Sequence, residues 1–309
     1  MDLAWRLHLS NRTIQYLDIL NGKRSLLGAW IRRDRVAFYD LETGAVAGEK
    51  SLEIPHETDR TSLEWQNFIN ELKAPNEASL RIVRMPNATL RTTEDKKVCL
   101  FRSGPAGLYV VIDGTEHTLD VGEVKMFIDI DLDPKAGVIG ALDETARLHL
   151  YRHNTRLGDY DLNLTFDPDL RPLIAIGTHG QSIYVTDRRQ IIRTDTTGQI
   201  RKKRQLVHAV SRMACSMNGK WVVTSDLDTG VIRVYDGENF QQTHQRFAVD
   251  LLADARQLQL IADLPTAAVA VSALSIKDDG VLTFAISGMI CVTHIDRMNK
   301  LPGLERSLT

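Results

Sequence analysis

The stretch His208–Asp236, HAVSRMACSMNGKWVVTSDLDTGVIRVYD, decides how this chain of 309 residues is read. Ser211 to Ser216 suits an inner strand, and Asn218-Gly219 suits a turn, because glycine tolerates positive φ. Lys220-Trp221-Val222-Val223-Thr224 is rich in β-branched and aromatic residues, as a packed strand should be. Asp226-Leu227-Asp228-Thr229-Gly230 turns the chain again. Val231, Arg233 and Tyr235 then alternate with Ile232 and Val234, which is the period of a strand. The stretch therefore reads as three short strands joined by tight turns.

Weaker copies of this grammar recur along the chain. Leu26 to Ile31 and Val36 to Asp40 flank Arg32-Arg33-Asp34-Arg35, with Thr43-Gly44 beyond them. Val138 to Leu142 and Leu148 to Tyr151 flank Asp143-Glu144-Thr145. Ser182 to Thr186 and Ile191 to Thr194 flank Asp187-Arg188-Arg189-Gln190, and Val281 to Ile286 and Ile290 to Ile295 flank Ser287-Gly288. Three further strand candidates lie between Lys97 and Asp120. Much of the spacing fits a period of roughly 40–50 residues, which predicts an all-β chain folded as a β-propeller, a closed ring of radial four-stranded sheets.

His208–Asp236 resembles a WD40 repeat, with Tyr235-Asp236 standing where that family usually has Trp-Asp. The resemblance is clear over this blade, extends to about four others, and is weakest between Ile54 and Leu90; it marks a divergent WD40-like propeller. It implies that His208, Ser225, Asp228 and Tyr235 are structural, a tetrad in which a turn carboxylate fixes the imidazole and the imidazole holds a hydroxyl and a ring. The length suits seven blades of roughly 40 residues, while six clear hairpins leave six as the alternative. Leu3 to Ser10 is expected to supply the outermost strand of the last blade. Such closure would join the chain ends and remove exposed edges, making residues 1–309 a single domain.

One segment breaks the β rhythm. Thr61-Ser62-Leu63-Glu64 has capping-box form, and Trp65, Phe68, Ile69 and Leu72 follow at i, i+3, i+4 and i+7 before Pro75 ends the run. A short amphipathic helix is expected near residues 61–73, inserted between blades within 55–78. Its apolar face suits packing on the propeller rim; the sharper reading makes Trp65, Phe68 and Ile69 anchors for a partner.

Composition bounds the function. Lys+Arg number 38 against 40 Asp+Glu, a net charge of −2 that gives no global case for nucleic acid or anionic membrane. Two basic groups stand out locally, Arg201-Lys202-Lys203-Arg204 and Arg32, Arg33 and Arg35 in a turn; the plain expectation is a solvated strand and turn that protect an edge. Cys99, Cys215 and Cys291 are widely spaced without CxxC, which suits reduced thiols. MDLAWRLHLSNRT holds no apolar run of signal-peptide length, no membrane span is visible, and a cytoplasmic location is the expectation.

Chemistry-bearing patterns are sparse. Asp129, Asp131 and Asp133 in DIDLD would share one strand face, and on an inner strand they would offer oxygens for Ca²⁺ toward a central channel. Same-face residues lie roughly 6.6–6.8 Å apart along a strand, so a single ion would need bent backbone or ligands from elsewhere. His149 and His153 at i and i+4 would suit zinc on a helix, but on a strand they stand roughly 13 Å apart. No GxSxG elbow, P-loop or GxGxxG loop is visible, no catalytic residue is assigned, and no cofactor is expected. The leading expectation is a non-enzymatic interaction scaffold for a protein partner. The alternative is a metal-dependent hydrolase or lactonase with an acidic channel site, and a third is an inert subunit of a larger assembly.

Overall fold

A strand that is apolar on both faces needs a neighbour on both faces, and the second strand of each repeat reads that way. A computed structural model describes residues 5–8, 17–20, 26–32, 35–51, 63, 66, 82–85, 88–92, 98–103, 107–112, 115–124, 126–133, 136–165, 167, 170–177, 180–254, 270–286 and 289–300. The first strand, β1 (Trp5–His8), joins the last sheet. Blade I holds β2 (Leu17–Leu20), β3 (Leu26–Arg32), β4 (Arg35–Asp40) and β5 (Val46–Ser51). Blade II holds β6 (Ile82–Met85), β7 (Ala88–Thr92), β8 (Val98–Ser103), β9 (Gly107–Ile112) and β10 (Thr115–Thr118). Blade III holds β11 (Phe127–Asp133), β12 (Val138–Asp143), β13 (Leu148–Arg152) and β14 (Thr155–Tyr160). Blade IV holds β15 (Leu173–Gly177), β16 (Ser182–Thr186), β17 (Gln190–Thr194) and β18 (Ile200–Gln205). Blade V holds β19 (Val210–Cys215), β20 (Trp221–Asp226), β21 (Val231–Asp236) and β22 (Gln242–Phe247). Blade VI holds β23 (Ala273–Ile276), β24 (Val281–Ile286) and β25 (Met289–His294), and a two-residue strand, β26 (Asn299–Lys300), returns to blade V.

All pairings are antiparallel, and strands follow sequence order within most sheets. β1 pairs with β25 in the register Trp5↔Val292 to His8↔Met289, so residues from opposite ends of the sequence share a sheet. Burial is greatest in the second strands and falls toward the outer ones. β12 and β24 are buried at every residue, whereas Thr155, Arg156 and Leu157 of β14 and Arg201, Lys202 and Lys203 of β18 are exposed. That pattern is what radial sheets produce, since neighbouring blades cover their faces and solvent meets their edges.

The core lies between sheets rather than within one. Leu108 and Val110 meet Phe127, Ile130 and Leu132 between blades II and III. Leu148 and Leu150 meet Ile174, Ile176 and Val185 between III and IV. Tyr184 and Ile191 meet Val222, Tyr235 and Phe240 between IV and V, and Val223, Ile232 and Val234 meet Leu274, Leu282 and Phe284 between V and VI. Tyr39 and Leu41 meet Ala285 and Val292 between VI and I. Each interface closes a face that would otherwise be wet, at roughly 25 cal/mol per Å² of apolar area. The fold is an all-β propeller with six sheets among the described residues. A seventh is not found among them.

One helix, α1 (Ala248–Asp254), follows β22 and places Ala248 and Leu251 in the core between blades V and VI. Of the helix expected near residues 61–73, Leu63 and Gln66 are described, both helical and exposed. Trp65, Phe68 and Ile69 lie outside the described residues. No helix among the described residues is long and apolar enough to cross a membrane.

Candidate functional site

The first strands β11, β15, β19, β23 and β2 neighbour one another around the centre of the arc. Each has one edge paired within its own sheet and another facing inward, so its inward N–H and C=O groups need partners. The acids of β11 supply them. Asp129 Oδ2 accepts from the Ile174 amide at 3.0 Å, and Asp131 Oδ2 accepts from the Ile176 amide at 2.8 Å. Asp131 Oδ1 takes the Leu132 amide at 2.7 Å, and Asp133 Oδ1 takes the Ala136 amide at 3.0 Å. Asp129, Asp131 and Asp133, read from the sequence as oxygen donors for Ca²⁺, are each engaged by a backbone amide here. The carboxylates meet protein amides, two of them across the junction to blade IV, rather than converging on one point. Among the described residues no group of three His, Cys, Asp or Glu side chains converges with metal-ligand geometry.

Two arginines serve the carbonyls in the same way. Arg188, in the turn between β16 and β17, donates through Nη1 to the carbonyls of Val210 at 3.1 Å and Ser211 at 2.5 Å, and through Nε to that of Arg171. Arg212 of β19 donates through Nε to Ser272 O at 2.7 Å, tying blade V to blade VI. Acids bond amides and guanidinium groups bond carbonyls, so three successive junctions are sewn by side chains onto backbone. Sequence reading missed this because nothing in a single sequence says which turn residue faces the next sheet.

The expected tetrad does not assemble. His208 is half-buried in the connection before β19, Asp228 is exposed, and Ser225 and Tyr235 are buried. No hydrogen bond joins any two of these four. The Ser225 hydroxyl lies 2.6 Å from that of Ser211, and the Tyr235 ring lies under the Arg204 guanidinium at 5.1 Å. The register explains part of this: Tyr235 stands opposite Val222, and Ser225 opposite Ile232, so the two are not cross-strand partners. Asp236, by contrast, closes the next turn by accepting from the Glu238 and Asn239 amides at 2.9 Å each.

That device repeats. Asp40 Oδ1 accepts from Thr43 N and Thr43 Oγ1, both at 2.9 Å, and Asp195 Oδ1 accepts from Thr197 N at 2.9 Å and Thr197 Oγ1 at 2.6 Å. Each aspartate ends or follows the third strand of its blade, as Asp236 does in Tyr235-Asp236. A strand-terminal Asp with Thr two or three residues on was a legible signal for these caps.

A His–Asp–Asp cluster with a buried imidazole appears in blade III. His149 of β13 is clamped by Asp143 Oδ2 at 2.8 Å on Nε2 and by Asp159 Oδ1 at 2.9 Å on Nδ1, with Phe127 edge-on at 5.6 Å. Burial pushes the Asp143 carboxyl up, but bonds from His149, Thr145 and the Arg147 amide outweigh it and hold it at about 2. Asp159 is likewise pushed up by burial and held below its ordinary range by Arg156 and His149. The His149 side chain is only 4% exposed, and no serine or cysteine bonds to it, so the cluster ties strands β12, β13 and β14 together. His153, its i+4 neighbour, sits exposed in the following turn.

The cationic run Arg201–Arg204 forms most of β18, the outer edge of blade IV. Arg201 pairs with Asp195 at 2.6 Å, and Arg204 donates to Phe240 O at 2.5 Å. Of the Arg32–Arg35 turn, the side chains lie outside the described residues. Cys291 is buried and Cys215 half-buried, and neither is in a disulfide.

No known family pattern matches the sequence, and no curated protein does. Solved structures do match in shape. The β-propeller domain of Cps50 (Swd1) from Myceliophteria thermophila superposes with a TM-score of 0.62 at 11% identity, covering 94% of this chain and 98% of that one. Raptor from Chaetomium thermophilum superposes with a TM-score of 0.62 at 9% identity over 96% of this chain, which spans 29% of Raptor. With radial sheets, cores between them and Asp-capped third strands, the chain has the fold of a divergent WD40-like β-propeller.

Proposed function

We propose that the protein is a non-enzymatic interaction scaffold, a cytoplasmic single-domain propeller of residues 1–309 that offers its outer surfaces to a protein partner. The observation carrying this reading is the use made of Asp129 and Asp131. These are the acids best placed for a channel site, and they bond the amides of Ile174 and Ile176 instead. The polar groups of the inner strands thereby hold the ring, and recognition falls to the rim, the turns and the helical insertion within 55–78, with Trp65, Phe68 and Ile69 as its anchors. The chain's length suits seven blades, with six as the alternative.

The likeness in fold to Swd1 and Raptor supports the architecture that such a role needs; at 11% and 9% identity it carries no partner across. Affinity purification of the full chain from its native cells, followed by mass spectrometry, tests the proposal. A defined partner lost on mutating one exposed face is expected. A chain that retains no protein but turns over lactones or phosphoesters would refute it in favour of the hydrolase reading.

A further inference from the structure

Residues 173–205 of blade IV carry seven Lys and Arg against two Asp, a net charge of +5 in a chain whose total is −2. The cations gather at the rim. Lys202 and Lys203 are exposed on β18, Arg189 is exposed in the turn beside it, and Arg193 is half-buried across from Lys202 in the pairing of β17 with β18. Among the described residues none of these four forms a salt bridge, unlike Arg201 with its Asp195. β18 is also a sheet edge: β17 pairs with one side of it, and no described strand pairs with the other.

The neighbouring blade shows what such an edge accepts. β22, the fourth strand of blade V, is extended by β26 through His244↔Lys300 and Gln245↔Asn299. An outer strand of this propeller therefore has room and geometry for a fifth. Beside β18, Arg193 and Arg201 line a pocket of about 330 Å³ together with Ser182, Thr196, Thr197 and the paired Asp195.

We propose that β18 docks an extended acidic segment of a protein partner as a fifth strand of blade IV, its carboxylates meeting Lys202 and Arg193 on one face of the sheet or Lys203 on the other. This deepens the scaffold reading and rests on it. Backbone bonds along the open edge would supply register, and charge would supply selectivity. The same charge excludes a second copy of this chain as occupant, because β18 against β18 sets Lys beside Lys. Six residues at roughly 3.3 Å each give an edge of about 20 Å, enough for a five- or six-residue segment.

The test uses the full chain and a fluorescein-labelled ten-residue peptide of alternating Glu and Thr, followed by anisotropy at low and high salt. Parallel probes are the same peptide N-methylated at its even or at its odd positions, the Lys/Thr counterpart, and a thymidine ten-mer. Binding of the acidic peptide is expected, weakened at least tenfold by Lys202→Glu with Lys203→Glu and at least tenfold by one of the two methylation patterns. The double variant should melt as the parent does, since both side chains stand in solvent. No binding of the acidic peptide, equal binding by the charge-reversed chain, indifference to both methylation patterns, or tighter binding of the thymidine ten-mer would each overturn the inference. Native pull-downs separate its failure from that of the scaffold reading. A partner kept by the charge-reversed chain sinks only strand docking, whereas no partner with either chain sinks the scaffold.

Discussion

Removing the Asp129 carboxylate should loosen the junction between blades III and IV. The side chain is 5% exposed, and its Oδ2 accepts from the Ile174 amide at 3.0 Å. Asp129→Ala leaves that N–H without its acceptor at a site where the residue is 3% exposed. A hydrogen bond to a charged group contributes about 1.5–3 kcal/mol, and an orphaned buried donor costs a similar amount. We expect a loss of about 2 kcal/mol. With a urea slope of about 2 kcal/mol/M, the unfolding midpoint falls by about 1 M. Asp129→Asn keeps a carbonyl acceptor but gives up the charge, so its loss should be about half as large. Urea unfolding followed by tryptophan fluorescence reads all three chains, and a Ca²⁺ series runs beside them. A structural carboxylate predicts a midpoint indifferent to calcium. A metal site predicts the reverse, a rise of about 2.7 kcal/mol at a hundred times the dissociation constant in the parent but not in the alanine variant. An unchanged midpoint in Asp129→Ala, or a calcium-dependent parent, would refute the zipper.

Further expectations follow from other junctions. The Asp143 carboxyl lies at about 2, below its ordinary value of 3.8, so its stabilisation is full above about pH 4 and is lost as pH falls through about 2. His149→Gln removes one of the bonds holding it there, and acid unfolding monitored by circular dichroism should begin at higher pH. Gly237→Ala places a Cβ 1.9 Å from the Gly219 carbonyl oxygen, a backbone atom that cannot step aside cheaply, and should cost about 1–3 kcal/mol or more in denaturant. Gly48→Ala meets nothing within 4 Å on β5 and should gain about 0.5–1 kcal/mol in the same assay. Tyr184→Phe deletes a hydroxyl donating to Gly219 O at 3.2 Å and Gly237 O at 3.1 Å on the next blade, and the melting midpoint should register a loss of about 1 kcal/mol.

What the sequence made legible was periodic and local. The hairpins around Asp143-Glu144-Thr145 and Asp187–Gln190 stand where alternation and turn residues put them, because both signals act within a few residues. The acids of β11 were legible as a same-face row but not as a zipper, since their partners Ile174 and Ile176 lie 45 residues on. α1 went unseen for a related reason: AVDLLAD is too short to establish a helical period and is held by the core it fills. The tetrad shows the cost of transferring a pattern by residue type. His208, Ser225, Asp228 and Tyr235 occur in the right order, yet Ser225 turns to Ser211 because that hydroxyl stands within reach in the fold.

Arg188 shows how far a turn can be shaped by its neighbour blade. Its φ is +80°, a region that L side chains avoid at a cost of about 1–2 kcal/mol, and glycine would adopt it without strain. The residue is nonetheless arginine, and only 8% exposed. The left-handed bend is held by Thr186 Oγ1, which accepts the Arg188 amide at 2.9 Å, and by the Val210 amide, which donates to the Arg188 carbonyl at 2.8 Å. It aims the guanidinium at three carbonyls, those of Arg171, Val210 and Ser211. Charge-assisted bonds of that number exceed the backbone strain, so the turn is better explained by what it reaches than by its own preference. The junctions then use two kinds of bond: carboxylates onto amides from III to IV, and a guanidinium onto carbonyls from IV to V and again from V to VI. Another sheet in place of blade IV would set the acids of blade III against groups that cannot donate to them, so the III–IV junction selects its own neighbour.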